Sequence, residues 1–147
     1  MAGPTPPPSD PVTLHIPAPP IKPVRKRKTG KTYQRNPMLN ANDRDHWRVL
    51  SPIRKAWRDL GHAHGQAAGL AAHGWQRVRI DADIHRPIAS RSDAGNWYPT
   101  VKAVIDGLVD AGLIPDDNDD HLDGPFLRRG AKGPYAVTIT ITPEPNQ

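Results

Sequence analysis

The 147-residue chain contains no cysteine. That excludes a disulfide framework, a zinc–thiolate centre and a thiol nucleophile. It contains no apolar run approaching the roughly 20 residues that a membrane-spanning helix needs. The opening MAGPTPPPSDP has neither the charged n-region nor the apolar h-region of a secretory signal peptide. No internal repeat is present. These absences lead us to expect a soluble protein of a reducing, cytoplasmic compartment. Proline is not scarce, but nine of the 18 fall within Met1 to Pro23. Residues 1–11 are expected to be disordered or polyproline-like, residues 12–143 to form one domain, and residues 144–147 a tail.

Charge is present and segregated. The formal net charge is +5, yet residues 1–36 carry seven Lys or Arg against one acid, whereas residues 92–147 carry four against nine. A basic front and an acidic back suggest a polyanion held by one region and a metal by the other. The alternative is a solvated basic tail that serves solubility.

Periodicity sets the elements. Val12, Leu14 and Ile16 alternate with polar residues in a short strand stopped by Pro17. The basic stretch 22–36 reads as a loop or ragged hairpin around Thr29-Gly30. Trp47, Leu50, Ile53, Trp57 and Leu60 form one helical face, with Asn42-Asp43 as the expected start and Ser51-Pro52 as a kink or fresh start. GHAHGQAAGLAAHG continues with weak helical character. In QRVRIDADIHRP, Val78, Ile80, Ala82 and Ile84 alternate with charged residues, the clearest strand. A polar turn, ASRSDAGN, follows. NWYPTVKAVIDGLVDAG reads as a helix capped by Asn96 and ended by Gly112, burying Val101, Val104, Ile105, Leu108 and Val109. A weak strand near 122–129 and a clear one in YAVTITIT complete the chain. The expected class is α+β: a small single domain with a mixed sheet of about four strands packed with two main helices.

Between the last helix and those strands lies an acidic loop, with five aspartates in AGLIPDDNDDHLDG. Carboxylates this close repel unless a positive charge sits among them. An EF-hand is excluded: counting from Asp119 puts Asp123 and Gly124 correctly but His121 and Gly130 at ligand positions, and other registers fail. Asp119 and Asp120 suit a merely solvated loop. Asp116 and Asp117 follow an apolar Gly-Leu-Ile-Pro turn that should fix them against the body. Asp93 precedes the same helix, about 20 Å long at 1.5 Å per residue, so the spacing alone does not bring Asp93 to Asp117.

The run DAGNWYPTVKAVIDGLVDAGLIPDDNDDHL resembles the core of the RusA-like family of Holliday-junction resolvases, endonucleases of bacteria and prophages. The matching positions are Asp93, Asn96, Lys102, Asp106-Gly-Leu108, Ala111-Gly112 and Asp116-Asp117. The likeness covers about residues 77–142 and extends more loosely to LNANDRDHWRVLSPIRKAW, similar to the N-terminal helix of actinobacterial and actinophage members. The resemblance implies a homodimer in the host cytoplasm that binds four-way DNA junctions and nicks two strands symmetrically. It implies Mg²⁺, with Mn²⁺ able to substitute, held by Asp93 and Asp117 with Asp116 beside them, and a functional lysine at Lys102. This chain departs from the pattern at Gly95, where the family has its second aspartate, and its spacer to Lys102 is three residues longer. Asp81, Asp83, Asp120 or water are candidate replacements for the missing carboxylate.

Within that reading, Lys102 either stabilises charge on a phosphate or merely pairs with Asp106 at i, i+4. Arg25, Lys26, Arg27, Lys28 and Lys31, with Arg128, Arg129 and Lys132, are expected to hold DNA phosphates. Trp97 and Tyr98 either stack on bases or belong to the core. His62 and His64 lack a third ligand, and His121 is either an accessory to the aspartates or a surface residue. The competing expectations are a junction or branched-DNA-binding protein whose catalysis is weakened or lost, and a nuclease of flaps or forks.

Overall fold

The computed structural model describes residues 10–88 and 93–145. Alternation builds the sheet. Strand β1 spans Val12–Pro17, β4 Val78–His85, β5 Leu122–Arg129 and β6 Ala136–Pro143, while β2 (Val24–Arg25) and β3 (Thr32–Tyr33) form a separate two-stranded hairpin. The order of the main sheet is β1-β6-β4-β5, with β4 and β5 parallel and the other pairs antiparallel. Register matches apolar to apolar: Ile80 faces Ile141, Ala82 faces Ile139 and Ile84 faces Val137. All six are buried. The intervening Arg79, Asp81, Asp83 and His85 therefore lie on the opposite, open face. A parallel pair needs a crossover, and the chain between β4 and β5 supplies it with a helix.

That helix, α2, spans Tyr98–Asp110, and the longer α1 spans Trp47–Ala67. Ile53 and Trp57 of α1 and Val101, Val104, Ile105 and Leu108 of α2 join the inner face of the sheet in one core. The architecture is α+β, a mixed four-stranded sheet with two main helices, as expected. The stretch 22–36 contains the β2–β3 hairpin. Of the expected disordered start, residues 1–9 lie outside the described residues, as do 89–92 of the polar turn and 146–147 of the tail.

Three helix details differ from expectation. Helix α1 starts at Trp47, where His46 caps it through Nδ1, accepting from Arg48 N at 3.1 Å. Asp43 is spent elsewhere: its Oδ2 accepts from Arg35 Nη2 at 2.7 Å and Asn40 N at 2.8 Å. A buried arginine outcompetes the helix terminus for that carboxylate. The helix also continues through Pro52, so no fresh start occurs there. Before α2, a 3₁₀ turn (Ala94–Trp97) is capped by Asp93, whose Oδ1 accepts from Gly95 N at 3.0 Å. Asn96 is inside that turn, and its carbonyl instead accepts from Ala41 N at 2.7 Å.

The two helices meet over glycine. A Cβ on Gly107 of α2 would come within 2.0 Å of the Arg58 carbonyl oxygen, and one on Gly61 of α1 within 2.3 Å of the Val104 oxygen. Side chains at these positions would hold the backbones apart. The irregular segment leading into α1 is stitched to both helices. Trp57 Nε1 donates to Pro37 O at 2.7 Å, and the buried Thr100 hydroxyl is 2.7 Å from both Leu39 N and Leu39 O. Strand β5 is an edge, and it bulges where Gly124 and Pro125 stand opposite Ile80 alone, between the pairs Arg79–Asp123 and Asp81–Phe126.

Gly107→Ala and Gly61→Ala should each lower unfolding free energy by about 1–3 kcal/mol, because overpacking outweighs alanine's better helix propensity. Gly133, where an added Cβ meets nothing within 4 Å, is the neutral control. Urea denaturation of the three variants checks this; equal midpoints would refute the close approach.

Candidate functional site

Lys102 lies in the second turn of α2, and Asp106 one turn further along the same face. After α2 the chain turns at Gly112, whose φ of 92° suits glycine. Leu113 and Ile114 then anchor in the core, 0% and 4% exposed. This anchoring directs the acidic loop back along the helix. Lys102 Nζ donates to Asp106 Oδ1 and to Asp117 Oδ2. One ammonium thus bridges two carboxylates 11 residues apart in sequence.

The remaining loop residues hold the loop itself. Asp116 Oδ1 accepts from Asp117 N at 2.7 Å and its Oδ2 is 3.4 Å from Asn118 Nδ2. Arg77 Nη1 donates to the Asp119 carbonyl at 2.6 Å, and His121 Nδ1 lies 2.7 Å from Gln76 O. These contacts tie the loop to the segment entering β4. His121 thus helps to hold the loop against the segment entering β4.

The electrostatics of the bridge are mutual. Partial burial alone would lower the Lys102 pKa, but the hydrogen bonds it donates to Asp106 and Asp117 and their charges raise it above that of an ordinary lysine. The hydrogen bond from Lys102 holds the Asp117 carboxyl below the usual carboxylate range, against the opposing effect of its own burial. Both shifts favour the charged forms of Lys102 and Asp117.

Lys102 and Asp117 are thus brought together, with Asp116 adjacent. The Asp93 carboxylate caps the 3₁₀ turn through Oδ1. Among the described residues no group of three or more His, Asp or Glu side chains is arranged to hold a metal ion. Asp81 and Asp83 sit on the open face of the sheet, away from α2, paired with Arg79 at 3.0 Å and Arg128 at 3.1 Å. Trp97 is buried under the Arg86 guanidinium, while Tyr98 is 44% exposed. The residue that sequence reasoning undervalued is Asp106. Its i, i+4 spacing to Lys102 was legible, but nothing in the sequence showed that Asp117 joins the same ammonium.

The basic residues occupy two places. Arg25, Lys26, Arg27, Lys28 and Lys31 are exposed on and around the β2–β3 hairpin, whose turn closes at Gly30 with φ 68°. Lys26 Nζ stands 5.5 Å from the Tyr33 ring centroid. Arg128 and Arg129 end β5 and Lys132 lies in the turn to β6, all three exposed. Arg128 is partly neutralised by Asp83. Among the described residues, no helix is long and apolar enough to cross a membrane. No family model matches the chain, and no curated protein sequence matches it.

Lys102→Met should cost about 1 kcal/mol or less, because the partners are 28–41% exposed. The sign of its pH dependence follows from the two shifts. The Asp117 contribution is present above the ordinary carboxylate pKa and lost as pH falls through its depressed value. The Lys102 contribution is present below the ordinary lysine pKa and lost as pH rises through its raised value. The melting-temperature difference from wild type should be flat near neutrality and shrink at both extremes. A difference that does not change below pH 3.8 would refute the Asp117 bridge.

Proposed function

We propose that the chain is a Mg²⁺-dependent endodeoxyribonuclease that cleaves branched DNA, with the four-way junction as its substrate. The observation that supports this reading is the convergence of Asp106 and Asp117 on Lys102. Asp117 and Lys102 are positions at which the resemblance to RusA-like resolvases places a metal ligand and a functional lysine. The two carboxylates offer hard oxygen donors facing one cationic point. That suits Mg²⁺, which is commonly held by one or two carboxylates with water and substrate phosphate completing its shell.

Asp117 and Asp106 would hold the ion, with Asp116 fixing the backbone of Asp117 beside it. When bound, Mg²⁺ supplies a more nucleophilic water and stabilisation of the leaving oxyanion. Lys102 stabilises negative charge developing on the phosphate, as a positioned cation does in phosphoryl transfer. Its raised pKa keeps the ammonium charged for that task. The exposed hairpin cations, with Arg129 and Lys132, hold backbone phosphates. A homodimer would present two such sites to the approximate two-fold symmetry of a junction. The host cytoplasm is the setting this activity requires.

A second reading, a branched-DNA-binding protein without catalysis, is favoured by two observations. Gly95 replaces the family's second aspartate, and the described residues contain no three-acid group. Room for the missing group exists: the nearest atom to a Cβ on Gly95 is Asp93 Oδ1 at 3.5 Å.

Labelled four-way junction and linear duplex, incubated with Mg²⁺ or EDTA, separate the readings. Paired nicks on the junction alone are expected. They should be lost in EDTA and reduced at least about 100-fold by Asp117→Asn, as for loss of a group that stabilises transition-state charge. Gly95→Asp should lower the Mg²⁺ concentration needed. Junction binding without nicks in Mg²⁺ or Mn²⁺ would sink the enzyme and leave the binding protein.

A further inference from the structure

Between the β2–β3 hairpin and the first turns of α1 lies an open groove of about 1030 Å³. Its floor is apolar: Ile21, Val24, Val49, Pro52 and Ala56 line it. Its rim is basic, with Lys22, Arg25, Arg27, Lys28 and Arg48. The acid that lines it, Asp45, is already engaged, 3.1 Å from Arg35 Nε and accepting from Tyr33 Oη at 2.9 Å. The rim charge therefore has no acidic counterweight within the groove. Flat rings stand at its margin. Tyr33 lines it; Trp47, 66% exposed, is outside the lining but stands beside it, with the rim residue Arg48 placing its guanidinium 5.7 Å from the Trp47 ring centroid.

This combination discriminates between occupants. A duplex presents phosphates outward and keeps its bases stacked inside, so it would use the rim and leave the floor wet. An unpaired strand presents phosphates and base faces together. Its phosphates match the rim, and its bases match an apolar floor with aromatic margins, the pattern of single-strand grooves. The volume lies at the upper end of the about 300–1,000 Å³ that small-ligand sites span, and the groove is open. From this charge and shape complementarity we infer that the groove binds a short unpaired stretch of DNA, phosphates on the rim and bases against the floor. The inference rests on the nucleic-acid part of the proposed function but not on catalysis.

The test uses the full chain in EDTA at low salt, with fluorescence anisotropy of three probes. These are dye-labelled oligo-dT, a duplex with the same number of phosphates per strand, and poly-glutamate of matched charge. Wild type should bind oligo-dT more tightly than duplex. Ala56→Trp, which fills the groove without changing charge, should weaken oligo-dT binding about tenfold and leave duplex binding unchanged. Trp47→Ala, at an exposed site, should reduce the oligo-dT preference while the melting temperature holds. Equal affinity for oligo-dT and duplex in wild type overturns the inference, as does an oligo-dT affinity indifferent to both variants. Tighter binding of poly-glutamate would assign the groove to an acidic peptide. A wild type that binds duplex but shows no single-strand preference overturns the groove alone; no DNA binding by wild type overturns the proposed function as well.

Discussion

The close approach of α1 and α2 is the constraint on which the rest depends. At Gly61 and Gly107 each backbone occupies the space that a side chain would need. Contact at this range fixes α2 in height and rotation against α1, because packed interiors resist sliding. Two sites inherit that placement. Lys102 and Asp106 project from the fixed helix toward the returning acidic loop. The start of α1, held by Arg35, Asp43 and Thr100 contacts, forms one wall of the basic groove.

The acidic loop resolves its own electrostatic difficulty by unequal means. Asp117 is balanced by an ammonium, and Asp116 by donors of its own loop. Asp119 and Asp120 remain exposed, where water screens them. The bridge at Lys102 is consequently a region of paired opposite charge rather than a bare acidic patch. Two carboxylates share one cation within hydrogen-bonding distance, so the charge of the cluster is largely balanced. An isolated acidic cluster would repel a phosphate.

Much of the fold was legible because its signals are local. The alternation in Val78–Ile84 and Val137–Ile141 specifies strands with one apolar face, and the spacing of Val101, Val104, Ile105 and Leu108 specifies α2. The helix starts were less legible, because caps are contested by distant partners. Asp43 serves Arg35, and Asn96 yields its role to Asp93. The candidate site was half legible. Lys102 and Asp117 stand in a motif, whereas the bridge to Asp106 depends on how Leu113 and Ile114 turn the chain. The groove was invisible in the sequence: the basic run was plain, but its apolar floor comes from the opposite wall, α1.

The edges of the sheet limit how copies of the chain can associate. Open strand edges invite further strands, the route to fibrils and to runaway assembly. On β5, Pro125 withholds a donor, the adjoining bulge breaks the register, and Arg128 and Arg129 place charge beside it. On the other side, β1 is bracketed by Pro11 and ends in Pro17. Neither margin offers a long, flat template. Copies of this protein at high local concentration would be protected against polymerising edge to edge.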